Sequence, residues 1–368
     1  MARPHDTGNL SLLSINQTWQ GVFQEPPAKY DLRSWSLHII LDAMGSDTHP
    51  EPEVQAAVEA IHDLQVRVSL VGHEDILRPR LAALGEFGDK VQIVHAPEVV
   101  EMTDKPATDA RRKSQNSMAV GMDMIKAGTG DAFVTAGNTG GAMANALFRL
   151  GRLRGVKRPA LTGLFPVKEG QTVVLDIGAN TDCKPLYLLQ FALMGALYAQ
   201  EVLGIQQPKV GLLSNGEEAG KGNELVKETY PLIAASGLNF IGNVEGKELF
   251  AGHADVVVTD GFTGNILLKS SEAVASLLIG VLREEMTAST RTKIGALLAR
   301  PAFTRIRKML DPAEVGAAPL LGIDGLVFIG HGRSDARALY NGIRVAKQAA
   351  SANLLGALRQ AIADVLQK

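Results

Sequence analysis

The chain has 368 residues, enough for one large α/β unit or for two lobes that share a sheet. Lysine and arginine number 37 against 39 aspartates and glutamates, so the charge balance excludes a globally basic nucleic-acid-binding protein, and we expect no nucleic acid partner. A single cysteine, Cys183, excludes an intramolecular disulfide framework and a multi-cysteine zinc site, and it is typical of a reducing compartment.

Residues 1–36 mix polar residues, prolines and isolated aromatics without a sustained period, so we expect a disordered N-terminal extension. They lack the basic head and apolar core of a signal peptide, and no apolar run approaches the roughly 20 residues that cross a bilayer. We therefore expect a cytoplasmic protein that is neither secreted nor membrane-spanning. The apolar segment 37–41 predicts the first buried strand, and the folded domain is expected over 37–350, followed by a C-terminal helix over 351–368.

Short apolar strands alternate with helix-like segments through this domain. Beyond the first strand they are expected at 66–71, 91–95, 132–135, 173–177, 210–213, 240–241 and 256–259. Such alternation predicts an α/β fold with a largely parallel sheet flanked by helices. Residues 186–203 are apolar nearly all round, which is typical of a central helix or of a subunit interface.

Four of the strands end in turns drawn from glycine, asparagine and aspartate. These turns lie at 136–141, 178–185, 214–218 and 259–265. In open parallel sheets ligands bind beyond the carboxyl ends of the strands, where such turns fall. The repeated pattern favours an anion site, and phosphate is its natural ligand.

The most informative of these turns precedes the apolar helix. Gly178 permits close approach of a ligand, and Lys184 stands where an ammonium group would reach phosphate. Asp182 can cap a helix whose first turn accepts Pro185. An ordinary strand, turn and capped helix with a surface lysine is the alternative for this segment taken alone. Cys183 is expected to pack rather than to act as a nucleophile, because its neighbour Asp182 does not stabilise a thiolate.

Other ligand classes are disfavoured by the spacing of residues. The first strand leads into residues 42–47 rather than into the glycine fingerprint of a dinucleotide site. The run 216–222 has one residue too few between its glycines for a nucleotide triphosphate loop, and Gly222 replaces the metal-binding hydroxyl residue. The aspartates are scattered over separate turns, so we expect no metal ion. We expect no organic cofactor either. His331 alone among the histidines looks placed for chemistry, with a helix-capping turn as the alternative.

Residues 287–310 contain six basic residues and no acidic one. Apolar residues recur beside the positive charge at mostly helical spacing, and Pro301 marks a bend. A protruding helical hairpin over about 271–310 that rests on anionic lipid has this pattern. A helix pair packed on its own domain or across a dimer is the alternative. We expect the membrane contact to be made by Leu297, Leu298, Arg300 and Arg305.

Several segments resemble the motifs of one enzyme family. They are LDAMG at 41–45, RRK at 111–113, AGNTG at 136–140, LDIGAN at 175–180 followed by DCKP at 182–185, LSNGEE at 213–218, GNVEG at 242–246, TDGFTGN at 259–265 and HG at 331–332. In this order they resemble the phosphate acyltransferases of the PlsX family over about residues 37–350. Ser46 replaces a usual second glycine, Gly141 replaces a usual alanine, and residues 1–36 have no family counterpart, but no group proposed for catalysis is lost.

The resemblance implies a parallel α/β core similar to isocitrate and isopropylmalate dehydrogenases and to phosphotransacetylases, usually in a homodimer. It implies transfer of a fatty acyl group from acyl carrier protein to inorganic phosphate, giving acyl phosphate for phospholipid synthesis through phosphatidic acid. The expected localisation is cytoplasmic with peripheral contact to anionic membrane. Rival functions are a phosphotransacetylase that uses acyl-coenzyme A, a β-decarboxylating dehydrogenase of the same fold, and a membrane-associated scaffold for lipid synthesis.

The resemblance also suggests roles for individual residues. We expect Lys184 to clamp phosphate or the oxyanion, and Asp176 to orient this lysine. Asn180 is expected to contribute to the anion pocket, and His331 is a candidate for taking a phosphate proton. Further phosphate or substrate contacts are expected from Asp42, Gly137, Asn138, Thr139, Gly178, Asn215, Asp260, Gly261, Gly264 and Asn265.

Basic residues are expected to dock the carrier protein, because acyl carrier proteins are acidic as a class. The first cluster is Arg111, Arg112 and Lys113, and a second basic stretch lies at 149–158. Solvated helix faces are the alternative for both.

Overall fold

The computed structural model describes residues 37–168 and 170–366, so the predicted N-terminal extension lies outside the described residues. The strands are β1 (His38–Asp42), β2 (Arg67–Gly72), β3 (Val91–His95), β4 (Ala132–Thr135), β5 (Ala160–Pro166), β6 (Gln171–Leu175), β7 (Val210–Leu213), β8 (Phe240–Val244), β9 (Val256–Val258), β10 (Ala318–Leu321) and β11 (Val327–Ile329). The helices are α1 (Glu51–Asp63), α2 (Glu74–Leu84), α3 (Pro106–Arg112), α4 (Ser117–Lys126), α5 (Thr139–Arg149), α6 (Pro185–Glu201), α7 (Glu224–Ala234), α8 (Gly246–Ala251), α9 (Gly261–Thr287), α10 (Thr290–Leu310), α11 (Ala336–Ser351) and α12 (Leu354–Leu366).

The strands form one sheet in the order β3-β2-β1-β4-β11-β10-β5-β6-β9-β7-β8. Its first block, from β3 to β11, is parallel throughout, and so is its last block, from β6 to β8. Hydrophobic clusters lie under the flanking helices, among them α1 and α11 over β1 and β4, and α6 over β6 and β9. The predicted α/β fold with a largely parallel sheet is confirmed.

Three antiparallel pairings in succession join the two blocks, namely β11 with β10, β10 with β5 and β5 with β6. Because an odd number of reversals separates them, the two blocks run in opposite directions along the sheet. The turns after β1, β4 and β11 therefore gather at one end of the strands, and the turns after β6, β7 and β9 gather at the other end. The predicted glycine- and asparagine-rich turns form two groups rather than one.

The strands β5 and β10, which produce this reversal, were not predicted from the sequence. Neither alternates apolar and polar residues in the manner of a half-buried strand. Gly163 interrupts β5, Pro166 ends it, and Pro319 lies inside β10, and these are residue types that argue against a strand in sequence analysis.

The helix α6 lies in the core of the last block. Its side chains Phe191, Met194 and Tyr198 are fully buried, and it packs on β6, β9, α7 and α12. Of the two alternatives for the apolar run, the central helix is therefore correct. The predicted C-terminal helix begins at Leu354 and belongs to the same core, because Leu354 and Leu358 are buried.

The helices α9 and α10 form the predicted protruding hairpin. No residue of α10 is buried, and in α9 only Gly261 and Gly264 are. Beyond the first two turns of α9, the exposed large apolar side chains of the hairpin are Val274, Leu277, Leu278, Val281 and Leu282 on α9, and Ile294, Leu297, Leu298, Ile306 and Met309 on α10. These exposures contradict the alternative in which the hairpin packs on its own domain.

By length and composition alone, α9 is also apolar enough to cross a membrane, contrary to the expectation that no such segment exists. The charged residues Lys269 and Glu272 lie within α9, and the cost of burying them in a bilayer opposes insertion of this helix.

Candidate functional site

The turn after β6, residues 176–184 and called the β6 turn below, is organised by Asp176. This carboxylate is fully buried. Its Oδ2 accepts the backbone and side-chain N–H groups of Asn180 at 2.7 and 2.8 Å. Burial raises the pKa of Asp176, and its N–H donors oppose this effect. Its Oδ1 accepts three backbone hydrogen bonds, from Leu161 at 3.1 Å, Gly178 at 3.0 Å and Ala179 at 2.9 Å. Because both of its oxygens are occupied by these donors, Asp176 holds the shape of the turn.

The helix α9 begins against the β6 turn, capped by the side chain of Asp260. The Gly261 N–H donates to the Asn180 carbonyl oxygen at 2.7 Å. A Cβ at Gly261 would overlap the Asn180 backbone, and one at Gly264 would overlap the Asp176 carbonyl oxygen. Glycine is therefore required at both positions so that α9 can approach the turn closely.

Lys184 is the N-cap residue of α6 and its side chain is exposed at the start of that helix. Pro185 occupies the first helical turn, as predicted. The predicted cap, Asp182, lies two residues too early, and α6 has no side-chain cap. Within the described chain Lys184 makes no ion pair. An unpaired ammonium group at a helix N-terminus favours an anion.

Several predicted anion donors are already used inside the protein. The N–H groups of Gly178 and Gly261 donate to Asp176 and Asn180. The side-chain amide of Asn180 donates to Asp176 and, at 2.7 Å, to the Pro159 carbonyl oxygen. The anion contacts predicted for these groups would need donors that the turn has already committed. Lys184 is a charged group of the turn that is exposed and makes no ion pair in the described chain.

The two remaining predicted asparagines are placed differently. Asn265 is exposed on the first turn of α9 beside Gly178, whose φ of +147° requires glycine. Asn215 lies in the turn after β7, where its Oδ1 accepts the Gly222 N–H at 2.9 Å. Asn265 thus lines the β6 turn, whereas Asn215 closes a turn of its own.

Cys183 packs within the β6 turn. Its thiol contacts the Asn180 carbonyl oxygen at 3.6 Å. Burial, followed by the charge of Asp176, raises the pKa of Cys183 to about 12. The thiol is therefore protonated near neutral pH, in agreement with the expected packing role.

A second group of predicted residues surrounds the turn after β1, residues 42–49, called the β1 turn below. Asp42 is fully buried, and its Oδ2 accepts the Thr135 hydroxyl at 2.6 Å. Burial raises the pKa of Asp42. The same hydroxyl oxygen accepts the Gly137 N–H at 2.9 Å, which ties the turn after β4 to the β1 turn.

Asn138 caps α5, since its Oδ1 accepts the Gly141 N–H at 2.9 Å. Its Nδ2 donates to the Met102 carbonyl oxygen at 3.1 Å. Thr139 is exposed at the first helical position. A Cβ at Gly141 would meet Val100 at 2.9 Å, so the alanine usual in the family would require a shift here. Asn138 therefore shapes this turn, and Thr139 is the residue of the pair open to solvent.

Glu53 is a buried carboxyl group that the sequence analysis did not single out. It lies in the first turn of α1 and is fully buried. The Ser46 N–H donates to its Oε1 at 2.9 Å, whereas its Oε2 has no partner in the described part of the chain. Burial raises the pKa of Glu53 to about 7. The signal was its place on the buried face of α1 with Val54 and Ala57.

The helix α9 connects the two groups of turns. Glu272 lies eleven residues after Gly261, or about 16 Å along the helix axis, and meets the loop after β11. Burial lowers the pKa of His331. The Asp47 N–H donates to the Gly332 carbonyl oxygen at 2.7 Å, which joins this loop to the β1 turn. The side chains around Glu272 are Lys269 at 3.4 Å, His331 at 3.6 Å and Arg333 at 3.9 Å. His331 therefore belongs to the β1 end of the site, apart from Lys184.

Two of the three predicted docking residues remain at the surface. Arg111 is exposed, with its guanidinium carbon 4.5 Å from the ring centre of Phe148. Arg112 is exposed and pairs at 2.7 Å with a carboxylate of its own helix. Lys113 is half-buried and its ammonium pairs with Asp104 at 2.5 Å. Arg111 and Arg112 are therefore the members able to meet a partner.

Comparison with known proteins places this chain in one family. The sequence profile of the family described as "Fatty acid synthesis protein" matches residues 37–356. A phosphate acyltransferase of Acidobacterium capsulatum is 50% identical over 317 residues, which cover 86% of this chain and 94% of that protein. A phosphate acyltransferase of Elusimicrobium minutum is 45% identical over 329 residues, which cover 89% of this chain and 96% of that protein.

Solved structures share the fold at low sequence identity. A phosphotransacetylase from Streptococcus pyogenes gives a TM-score of 0.58 at 16% identity, covering 91% of this chain and 98% of that chain. A branched-chain phosphotransacylase from Enterococcus faecalis gives a TM-score of 0.55 at 13% identity, covering 86% of this chain and 99% of that chain. These structures support the fold, and the sequence relatives decide the family. The chain belongs to the phosphate acyltransferase family and is an acyltransferase.

Proposed function

We propose that the protein transfers a fatty acyl group from acyl carrier protein to inorganic phosphate and so supplies acyl phosphate for phospholipid synthesis. Family membership supports acyl transfer with phosphate as the acceptor. The observation that carries the proposal at the site is Lys184, which is exposed at the start of α6 without an ion pair in the described chain. The saturated hydrogen bonds of Asp176 fix the turn that presents this lysine.

In the proposed reaction a phosphate oxygen attacks the thioester carbonyl carbon. The carbon–sulfur bond then breaks, and its electron pair leaves with the phosphopantetheine sulfur. A thiol with a pKa of roughly 8.5 leaves as thiolate, so no strong general acid is required. The Lys184 ammonium holds phosphate against the carbonyl and stabilises the charge that develops on its oxygen.

Other residues act on this step indirectly or not at all. Asp176 is a positioning residue, because its oxygens bind the turn rather than a substrate. A phosphate dianion has an unprotonated oxygen for the attack, so the reaction needs no base. His331, which lies with Glu272 about three turns along α9, is therefore not required as a base.

The direct test is incubation of the purified protein with long-chain acyl-[acyl carrier protein] and radiolabelled inorganic phosphate. Labelled acyl phosphate and an equal amount of released carrier thiol are expected. Product from acyl-coenzyme A alone would favour the phosphotransacetylase function, a candidate that the shared fold of solved phosphotransacetylases keeps open. Failure with both thioesters by folded protein would favour the scaffold.

Replacement Lys184→Met tests the residue that carries the proposal. Loss of a charged donor to the developing oxyanion is expected to lower kcat by about a hundredfold or more. The unfolding temperature should change little, because the Lys184 side chain is exposed. Lys209→Met, another exposed lysine at the opposite end of the last block, is the matched control. Near-normal turnover by Lys184→Met would remove this lysine from the mechanism.

Three contacts with partners complete the proposal. The acidic acyl carrier protein docks at Arg111 and Arg112, which are exposed and basic. The apolar and basic hairpin of α9 and α10 rests on anionic membrane, so that the protein is cytoplasmic and peripherally membrane-associated. The active form is a homodimer.

A further inference from the structure

The β6 turn leaves the proposed phosphate site with one cation. The backbone N–H groups of Gly178, Ala179, Asn180 and Gly261 already donate to oxygens of the protein. A phosphate dianion carries twice the charge of the Lys184 ammonium group. A second cation close to the start of α6 would balance it, and a guanidinium group suits phosphate better than a second ammonium because its donors match two oxygens at once.

Arg158 lies between two anchors that hold it at this position. On one side, the Lys157 N–H donates at 2.8 Å to the side-chain oxygen of Gln190 on α6. On the other side, the Pro159 carbonyl oxygen accepts the Asn180 side-chain amide at 2.7 Å. The backbone of Arg158 is therefore fixed beside both α6 and the β6 turn.

The side chain of Arg158 points toward the start of α6. Its guanidinium carbon lies 5.9 Å from the ring centre of Tyr187, which is three residues after Lys184 in the first turn of α6. A cation at this distance over an aromatic face is weakly attracted and partly oriented. Arg158 is exposed and, over residues 37–168 and 170–366, has no carboxylate partner, so its charge is available to a ligand.

We propose that Arg158 is the second phosphate-binding cation of the site and donates to two phosphate oxygens while Lys184 holds a third. This inference rests on the proposed function. The sequence placed Arg158 in the basic stretch expected to dock the carrier protein, but its anchors at Gln190 and Asn180 assign it to the phosphate instead.

The variants Arg158→Gln and Arg158→Lys test this assignment in the full-length protein. Loss of a charge-assisted pair of hydrogen bonds is expected to raise the KM for phosphate in Arg158→Gln by about tenfold to a hundredfold. The KM for the acyl donor should be unchanged, and Arg158→Lys should recover part of the loss because it keeps the charge. Arg78→Gln, an exposed arginine on α2, is the control and should behave as wild type.

Phosphate binding is measured separately, as the rise in unfolding temperature with added inorganic phosphate. Wild type and the control should be stabilised, and Arg158→Gln should not. If Arg158→Gln leaves both the KM for phosphate and the stabilisation by phosphate unchanged, the assignment is overturned. A rise confined to the KM for the acyl donor also overturns it and would return Arg158 to carrier docking. If Arg158→Gln does not fold, an unchanged KM for phosphate in Arg158→Lys overturns the assignment instead.

The two proposals can fail independently. If no thioester yields acyl phosphate but phosphate stabilises wild type and not Arg158→Gln, the proposed function fails while Arg158 stands as an anion-binding residue. If acyl phosphate forms normally in Arg158→Gln, the function stands and the role of Arg158 falls.

Discussion

At the scale of single residues, three buried carboxyl groups differ in how well they are satisfied. Asp176 accepts N–H donors on both oxygens, and Asp42 accepts the Thr135 hydroxyl and the Met44 N–H. Glu53 accepts one N–H on Oε1, and its Oε2 has no partner in the described chain. An ionised oxygen without a donor is costly when buried, so Glu53 is the least satisfied of the three when it is ionised.

Stability should therefore depend on pH through Glu53. Its pKa rises from 4.5 to about 7 on folding, so its stabilising contribution is complete below pH 4.5 and is lost as the pH rises through 7. Glu53→Gln cannot ionise and should not lose this contribution. Between about pH 5 and about pH 8 the free energy of unfolding of wild type should fall relative to the variant by up to roughly 3 kcal/mol.

Denaturant unfolding at several pH values measures this difference. Glu59→Gln, an exposed glutamate of the same helix, is the control and should follow wild type. Parallel curves for wild type and Glu53→Gln would mean that Glu53 does not titrate in this range.

The residues of the site could be predicted where the cause is local. Pro185 at the start of α6 follows from the preference of proline for the first helical turn, and it is confirmed. Asp182 was wrongly expected to cap the helix, because Lys184 is the last non-helical residue. The position of Arg158 depends on a contact between the Lys157 N–H and Gln190, 33 residues away, which a local pattern does not specify.

At the scale of elements, the hairpin of α9 and α10 has an apolar surface that no described part of the chain covers. Val274, Leu277, Leu278 and Val281 recur at helical spacing on α9 and are exposed. Leu297 and Leu298 on α10 are 68% and 79% exposed. Apolar side chains so exposed beside a basic face are typical of a surface that meets lipid or a second subunit.

Replacing both Leu297 and Leu298 with glutamate should weaken binding to anionic vesicles. Two apolar contacts are lost and two negative charges are added next to anionic lipid, so the affinity should fall by about tenfold or more. Sedimentation with vesicles of phosphatidylcholine and roughly 20% phosphatidylglycerol measures it, while activity in solution should be retained.

The double variant Ile76→Glu with Leu84→Glu adds the same charge to exposed apolar positions on α2 and is the control. Unchanged vesicle binding by the hairpin variant would contradict the lipid contact. Analytical ultracentrifugation distinguishes the second possibility, because loss of a dimer with retained vesicle binding would assign the surface to the subunit interface.

The sequence predicted elements well where the pattern was strong. The strands β3, β4 and β7 coincide with their predicted bounds, and the basic helix ends at Leu310 as expected. Pro301, expected to mark a bend, lies inside the continuous helix α10. The strands β5 and β10 were missed because their glycine and proline obscure the pattern, although their pairing partners make them strands.

At the scale of the whole molecule, the reversal between the two blocks decides how the site is assembled. The sequence predicted which turns carry glycine and asparagine, but strand order and direction depend on pairings between distant segments. The β1 turn and the β6 turn therefore lie at opposite ends of the strands, with α9 as the physical link between them.

Carrier docking should be visible as an effect of long-range charge. Arg111→Glu combined with Arg112→Glu places four units of charge change on one exposed surface, so the KM for acyl-[acyl carrier protein] should rise by about tenfold at low salt. The KM for phosphate should stay constant, because both arginines lie on α3 in the first block, away from the β6 turn. Raising the ionic strength should shrink the difference in this KM between variant and wild type, because charges are screened.

Arg78→Glu on α2 is the control. Unchanged kinetics at low salt would exclude this surface as the docking site, and an equal rise in the KM for both substrates would indicate damage to the site rather than weaker docking.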